Sequence, residues 1–513
     1  MVLKEDFYRK FFLSPDGDNF EEFVQRIEYF FLKLKPWWED PRPSPTEKDE
    51  YDANTKLPDN ISNDPYAVLD ELLTRLKRCR RLNSRRFGLT PLPLFPSLIA
   101  AYLTSLQNPN NIVDGWGKSG WLEGSSDQVT PNLEKECIKM IAADIIGYDR
   151  RKASGNLVSD GTLSILSALL VARDKIYGPI IRLKGLFGQG EGKVITSKNA
   201  HYSIRKALRI LGIGEDNLIE IPVVNDDEIQ AFIKDGKPFS LQPHWEILEG
   251  LLKKEKVIAV VPTLGTTETG TLESIEELTR LRDEYGFFLH VDAAIGGYAL
   301  LVEGIRENRA RGIEKSDSVT IDPHKLGYIH YPCGAIIFSN EEDHELLRYE
   351  APYLRDIAPT IEGSRPGTHA AACWVALKTL GKSGYSRIIS ERIQITKYLA
   401  KRLQEENYQL LHDVHLNIIC FSLKGDVSRR KLNELNKKLC KKINERNNFH
   451  VSYLEDLAGI RVKENDKEQC ITGLRLVVIN PYMNEEIAEE FIEELNEVRK
   501  ILMRESGIDL KAT

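Results

Sequence analysis

From about residue 150 the chain alternates short apolar runs with longer stretches of helical period. The runs are NLVS (156–159), VITS (194–197), LIEIPV (218–223), VIAVVPT (257–263), FFLHVDAA (287–294), SVTID (318–322) and GAIIFS (334–339). Between several of them lie amphipathic segments such as SIRKALRILG (203–212) and SIEELTRLRDEYG (274–286). Runs apolar on both faces and separated by helices predict an α/β fold around a largely parallel sheet covered on both sides. In such a fold, ligand chemistry belongs at the carboxyl ends of the strands.

The flanking regions have different periods. Residues 1–35 read as an amphipathic helix, and the proline- and charge-rich 35–60 as an extended arm. Residues 63–82 and 96–112 are helical in period, Thr130 is expected as a helix N-cap with Pro131 at the first helical position, and the chain up to about 147 is expected to be mostly helical. After a long helix at about 384–406 come NIICFSL, a lysine-rich helix, HVSYL, LRLVVI and an acidic final helix, the order of a smaller α+β unit. The expected division is a helical N-terminal arm or dimerisation segment (1–115), a large α/β domain (116–383) and a small α+β domain (384–513).

Charge and composition narrow the function. With 70 Lys+Arg against 77 Asp+Glu, a net charge of −7 and no basic tract, the chain is not expected to bind nucleic acid. Seven scattered cysteines without CxxC spacing suit a reducing compartment, so a cytoplasmic location is expected. No apolar run reaches the roughly 20 residues of a membrane span. Two motifs are set aside. GLFGQGEGKV (185–194) has Phe187 and Val194 where a phosphate-binding P-loop needs Gly and Ser/Thr, and His324, His330 and Cys333 lack metal-ligand spacing.

Four segments fall where strands should end: SDGT (159–162), NAHYS (199–203), HVDAA (290–294) and DPHK (322–325). Asp160, Gly161 and Thr162 precede a helix and offer amides to a phosphate, although the charge of Asp160 must then point away. His201 can cap a helix or stack on a planar ring. Asp292 ends an apolar strand, where a buried carboxylate needs a cationic partner such as a protonated pyridine nitrogen. Lys325 is either a solvated strand-end charge or an amine whose desolvation lowers its pKa and frees it for Schiff-base chemistry. Each signal is weak alone, but in this order they are what pyridoxal phosphate requires.

Together the segments resemble the group II pyridoxal-phosphate-dependent amino-acid decarboxylases, from NPNNI (108–112) to LRLVVINPY (474–482), with HVDAAIGGY and SVTIDPHKLGYIHYPCG the most specific stretches. The nearest likeness is to bacterial tyrosine-decarboxylase-like enzymes, which share TIDPHK-GYI-Y and a later EGS. The resemblance implies a fold type I architecture with a seven-stranded, mostly parallel sheet, and a homodimer with shared active sites. It gives Lys325 the Schiff base, Asp292 the ring nitrogen, and His201 and Ala294 the two ring faces. It puts His324 by the phosphate and Schiff base, Thr267 near the phenolic oxygen or substrate carboxylate, and Ser364 with Gly363 at a phosphate across the dimer interface. Tyr353 would be the lid tyrosine and, with His324, a candidate proton donor. Two departures stand out: the loop before EGS is short, and RFGLTPLPLFP replaces a Gly-His-Met segment, so tyrosine is not carried over as substrate.

The implied reaction is decarboxylation of an aromatic or acidic L-amino acid to the amine and CO₂. A carbon–carbon lyase, an oxidative aldehyde-forming enzyme and a silent homologue that only binds remain the alternatives.

Overall fold

The computed structural model describes residues 19–39, 65–78, 91–111, 113–116, 129–350, 354–464 and 467–510. Its centre is a seven-stranded sheet. A short strand β1 (Val113–Trp116) precedes it, and its members are β2 (Ser154–Val158), β3 (Lys193–Ser197), β4 (Leu218–Ile221), β5 (Val257–Val261), β6 (Phe288–Asp292), β7 (Ser318–Ile321) and β8 (Gly334–Phe338). They lie in the order β2-β8-β7-β6-β5-β3-β4. Each sheet neighbour pairs in parallel except β8, which runs antiparallel to both β2 and β7. The carboxyl ends of β2, β3, β5, β6 and β7 therefore share one edge with the start of β8.

Period-two alternation divides the strands between two cores. Ile336 and Phe338 of β8 join Ile165 and Leu169 of helix α1 (Gly161–Tyr177) and Leu208 of α2 (Ser203–Ile210) on one face. On the other, Ala335 and Ile337 meet Ile138 of the helix Thr130–Met140 and Ala372 and Ala376 of the helix Thr368–Glu405. A buried polar chain pins α1 to the sheet: Ser164 Oγ lies 2.6 Å from Thr320 Oγ1 and donates to the Ala335 carbonyl, and Thr320 Oγ1 is 3.1 Å from His290 Nε2. Burial holds that imidazole neutral, with its pKa lowered to about 3.

The helix Thr368–Glu405 is broken at Gly381, whose φ of +57° suits a residue without Cβ. Its second half packs Leu399 and Leu403 into a third core with the helices Arg429–Arg446 and Glu485–Ser506. These cover an antiparallel sheet of four strands, Gln409–Leu410, Ile418–Ser422, Gly473–Val477 and Ser452–Leu454 in spatial order. No helix among the described residues is long and apolar enough to cross a membrane.

Three expectations change. The described part of the N-terminal helix runs from Phe20 to Glu39, past the expected end at 35 and through Pro36, which removes one intrahelical amide donor without ending the helix; the rest of the expected helix and arm, 1–18 and 40–60, lies outside the described residues. The helical stretch expected over 96–112 ends early: Asn108, at φ +46°, and Pro109 follow the helix Phe95–Ser105, and β1 comes next, paired with Leu354–Ile357, while the described residues before 147 are otherwise mostly helical. Thr130 is the first helical residue rather than the cap, because its hydroxyl donates to Asn111 Oδ1 at 2.5 Å. That bond belongs to a buried network in which Arg365 Nη1 meets Glu134 Oε1 at 2.5 Å and the Leu157 carbonyl at 2.7 Å, while Asn111 Nδ2 donates to Glu134 Oε2 at 2.7 Å.

Removing one partner of a buried ion pair strands the other charge. Glu134→Ala is expected to lower unfolding free energy by about 3–5 kcal/mol, measured by urea denaturation.

Candidate active site

The shared edge gathers most of the residues singled out in the sequence. At the end of β2, Asp160 caps α1 by accepting from the Leu163 amide at 2.9 Å. Its charge is thus turned into its own helix, and the amides of Gly161 and Thr162 at the helix start are left for an anion. The approach is tight. A Cβ on Gly334 would meet Asp160 Cα at 2.8 Å, and one on Gly161 would lie 3.0 Å from Asp322 Oδ2.

After β3, His201 is anchored through Nδ1, which is 2.8 Å from Ser203 Oγ and also accepts from the Ser203 amide at 3.4 Å. Burial, then the nearby Lys325 charge, lowers its pKa, so the ring is neutral. Asp292 closes β6, almost fully buried, and accepts from the Ala294 amide at 3.1 Å. Burial raises its pKa, with Lys325 acting in the opposite sense. After β7 the chain turns, with the Lys325 amide donating to the Asp322 carbonyl at 2.9 Å, and this brings Lys325 Nζ to 2.9 Å from Asp322 Oδ2. His324 Nδ1 accepts from the Cys333 amide at 3.1 Å, so the neutral ring carries its proton on Nε2, 3.6 Å from Asp322 Oδ2.

One expectation is reversed. Burial does push Lys325 toward the neutral amine, but the charges of Asp322 and Asp292 outweigh it, and the pKa is raised above the ordinary lysine value. Without a covalent partner this lysine is an ammonium.

Other residues fall elsewhere. Thr267 is exposed, and its carbonyl accepts from Arg475 Nη2 at 2.7 Å. Ser364 is exposed as well, and its hydroxyl accepts from Asn110 Nδ2 at 3.1 Å, beside the β2 edge. Tyr353 lies outside the described residues. The glycine loop at 185–192 precedes β3, at the opposite end of the sheet from Lys325.

Four residues of the site were not read from the sequence. Asp322 is one. Tyr331 packs at a tilt against His324 with ring centroids 4.1 Å apart, and its phenol, whose pKa burial raises, lies close enough to Lys325 to feel that charge. Thr263 bridges to Asp292 between β5 and β6, with its own amide held at 2.7 Å by Glu273 Oε2. Glu273, fully buried, also takes the Ser197 hydroxyl at the end of β3, and burial raises its pKa from 4.5 to about 8. A threonine or an acid at a strand end was a findable signal, but its partners lie on other strands.

A polar planar cofactor fits this edge. Asn199 Nδ2, Thr263 Oγ1 and Asp322 Oδ1 are buried without a hydrogen-bond partner, and beside them stand a buried carboxylate, a lysine and a helix start with amides to offer.

The pyridoxal-dependent decarboxylase conserved domain matches residues 99–424. An L-tyrosine/L-aspartate decarboxylase of Methanocaldococcus jannaschii is 30% identical over 72% of this chain and 83% of its own length. An L-tyrosine decarboxylase of Enterococcus faecium is 27% identical, covering 79% of this chain and 84% of that protein. Among solved structures, tryptophan decarboxylase of Catharanthus roseus superposes with a TM-score of 0.77 at 17% identity, over 95% of this chain and 99% of that one, a likeness of fold. The chain belongs to the pyridoxal-dependent decarboxylase family.

Between about pH 4.5 and 8 folded Glu273 keeps a proton that the unfolded chain gives up, so raising the pH favours unfolding. Glu273→Gln removes this contribution. The stability of the wild type should fall relative to the variant, by up to about 1.4 kcal/mol per pH unit, in denaturation curves across that range.

Proposed function

We propose that this member of the pyridoxal-dependent decarboxylase family carries its cofactor on Lys325 and removes the α-carboxylate of an aromatic or acidic L-amino acid. The activity class and the cofactor, pyridoxal phosphate, follow from the family. The observation that supports the residue assignment is Lys325 Nζ, 2.9 Å from Asp322 and interacting with the buried Asp292 on the neighbouring strand. Relatives named as L-tyrosine/L-aspartate and L-aspartate decarboxylases favour tyrosine or aspartate as the first substrates to test.

Bound pyridoxal phosphate supplies an electron sink for the pair left on Cα when CO₂ departs. The chain's residues do the rest. Asp292, a carboxylate that burial leaves short of cationic partners, holds a proton on the ring nitrogen. His201, its ring fixed by Ser203, covers one face, and Ala294 lies against the other. The hydroxyl of Thr263, buried without a partner, takes the phenolic oxygen, and Thr267, expected at that oxygen or at the substrate carboxylate, is left the carboxylate. The amides of Gly161 and Thr162 take the phosphate, with Ser364 assigned to the phosphate of a second subunit. The proton returned to Cα comes from His324 Nε2 or from a phenol, Tyr331 beside it or Tyr353.

We further propose a homodimer. The helices Phe20–Glu39 and Phe95–Ser105 expose large apolar side chains, among them Phe31, Leu32 and Phe95, and exposed apolar surface of this kind marks an interaction face. The described cysteines are free thiols, which suits a reducing, cytoplasmic setting.

Purified protein should be yellow, and borohydride should fix the colour on the peptide containing Lys325. Lys325→Ala should lose both colour and amine formation, and Asp292→Asn should lower kcat by about 10²–10³-fold. Mass spectrometry of products from tyrosine, aspartate, glutamate and tryptophan identifies the substrate. A cofactor-loaded protein that releases no amine from any amino acid would sink the decarboxylase reading.

A further inference from the structure

We infer that Asp322 is the dedicated counter-ion of Lys325, holding the lysine as an ammonium whenever it is not covalently engaged and so keeping it from recapturing the cofactor before the carboxylate leaves. This rests on the assignment of Lys325 as the cofactor lysine.

The geometry is specific. Asp322 begins the turn after β7, and its side chain is 2% exposed. Its amide donates to the Ala294 carbonyl at 3.3 Å, and the Lys325 amide closes back on the Asp322 carbonyl at 2.9 Å. Backbone on both sides thus fixes the carboxylate under the lysine. Oδ2 meets Nζ at 2.9 Å, while Oδ1 has no partner. The start of α1 closes over the pair, since a Cβ on Gly161 would lie within 3.0 Å of Oδ2. A carboxylate this buried needs a cation, and Lys325 is the one within reach.

The pairing matters when the substrate amine displaces the lysine. The incoming amino acid arrives as an ammonium and must lose a proton to become a nucleophile. The lysine must gain protons as it leaves. As the carbon–nitrogen double bond to Lys325 gives way to one to the substrate nitrogen, the three N–H hydrogens of the substrate ammonium end on Lys325, which leaves as the ammonium and carries the single positive charge with it. The exchange draws no proton from Asp322, and nothing is oxidised or reduced. An ammonium held at 2.9 Å is not a nucleophile, so the exchange is biased forward. When product leaves, the exchange runs the other way: Lys325 gives its N–H hydrogens to the departing nitrogen, which leaves as an ammonium, and re-forms its own bond.

The other groups facing Lys325 are Asp292 at the end of β6, His201 from the β3–α2 loop, and His324 and Tyr331 on its own loop, with Asp160 acting on both histidines. Asp292 adds to the effect of Asp322. The two histidines are neutral, their pKa values lowered first by burial.

The test uses full-length protein freed of cofactor, exposed briefly to pyridoxal phosphate from neutral to alkaline pH, then quenched with borohydride. The modified Lys325 peptide is quantified by mass spectrometry in wild type and Asp322→Asn. The wild-type rate should climb with pH as the ammonium is lost. In the variant the same climb should begin at least about one pH unit lower, making neutral-pH labelling about tenfold faster. Superimposable pH profiles would overturn the inference. Labelling of a different lysine would instead overturn the assignment of Lys325. Should the variant not fold, competitive acetylation of the wild type decides: Lys325 must react more slowly at neutral pH than the exposed Lys401, and equal or faster reaction refutes the pairing.

Discussion

Three carboxyl groups, on Asp292, Asp322 and Glu273, are buried along one edge of one sheet, and desolvation penalises the charge on each. The fold answers that constraint in three ways. Glu273 keeps its proton and spends its oxygens on Ser197 and the Thr263 amide, tying the end of β3 to the end of β5. Asp322 takes the ammonium of Lys325. Asp292 has the Ala294 amide and a share of the lysine's field, and on the proposed assignment a protonated ring nitrogen would supply the cation it still lacks. The strands thus build an electrostatic arrangement with one cation still to be supplied.

The same edge explains why neutrality is distributed as it is. His201, His290 and His324 are all held below the ordinary imidazole pKa by burial, so the positive charge here is concentrated on Lys325. His290 is structural, wedged between Ser318 and Thr320 beneath the sheet, whereas His201 and His324 point Nε2 toward the lysine's surroundings because backbone amides occupy their Nδ1 atoms. A protein with several charged imidazoles in this space would repel the ammonium that Asp322 holds.

Much of this was legible in the sequence, because doubly apolar strands and helical periods are strong local signals and the seven runs read there became the seven strands. DPHK, HVDAA and NAHYS were legible for the same reason, each closing a strand. What escaped were facts about pairs. Asp322 reads as a strand's last polar residue until the turn folds Lys325 onto it. Glu273 reads as a helix-start acid, and its partner Ser197 is 76 residues away. The place of Thr263 beside Asp292 rests on the β5–β6 bridge, which no local signal gives. The titration of Lys325 was misread for the same reason, since burial is visible in a run of apolar residues and two facing carboxylates are not.

The reversed direction of β8 has a consequence for the order in which the molecule assembles. Because β8 returns beside β7, the lysine, Asp322, His324 and Tyr331 sit in a single hairpin, from Ser318 to Phe338, whose closure involves a short loop. The phosphate end of the site depends instead on β2, whose Ser154 pairs with Phe338 far along the chain. Long-range pairings bear the greater loop entropy and form late. On the proposed assignment, the lysine hairpin is thus the local part of the site, and the helix start offered to the phosphate is the part that depends on a long-range pairing.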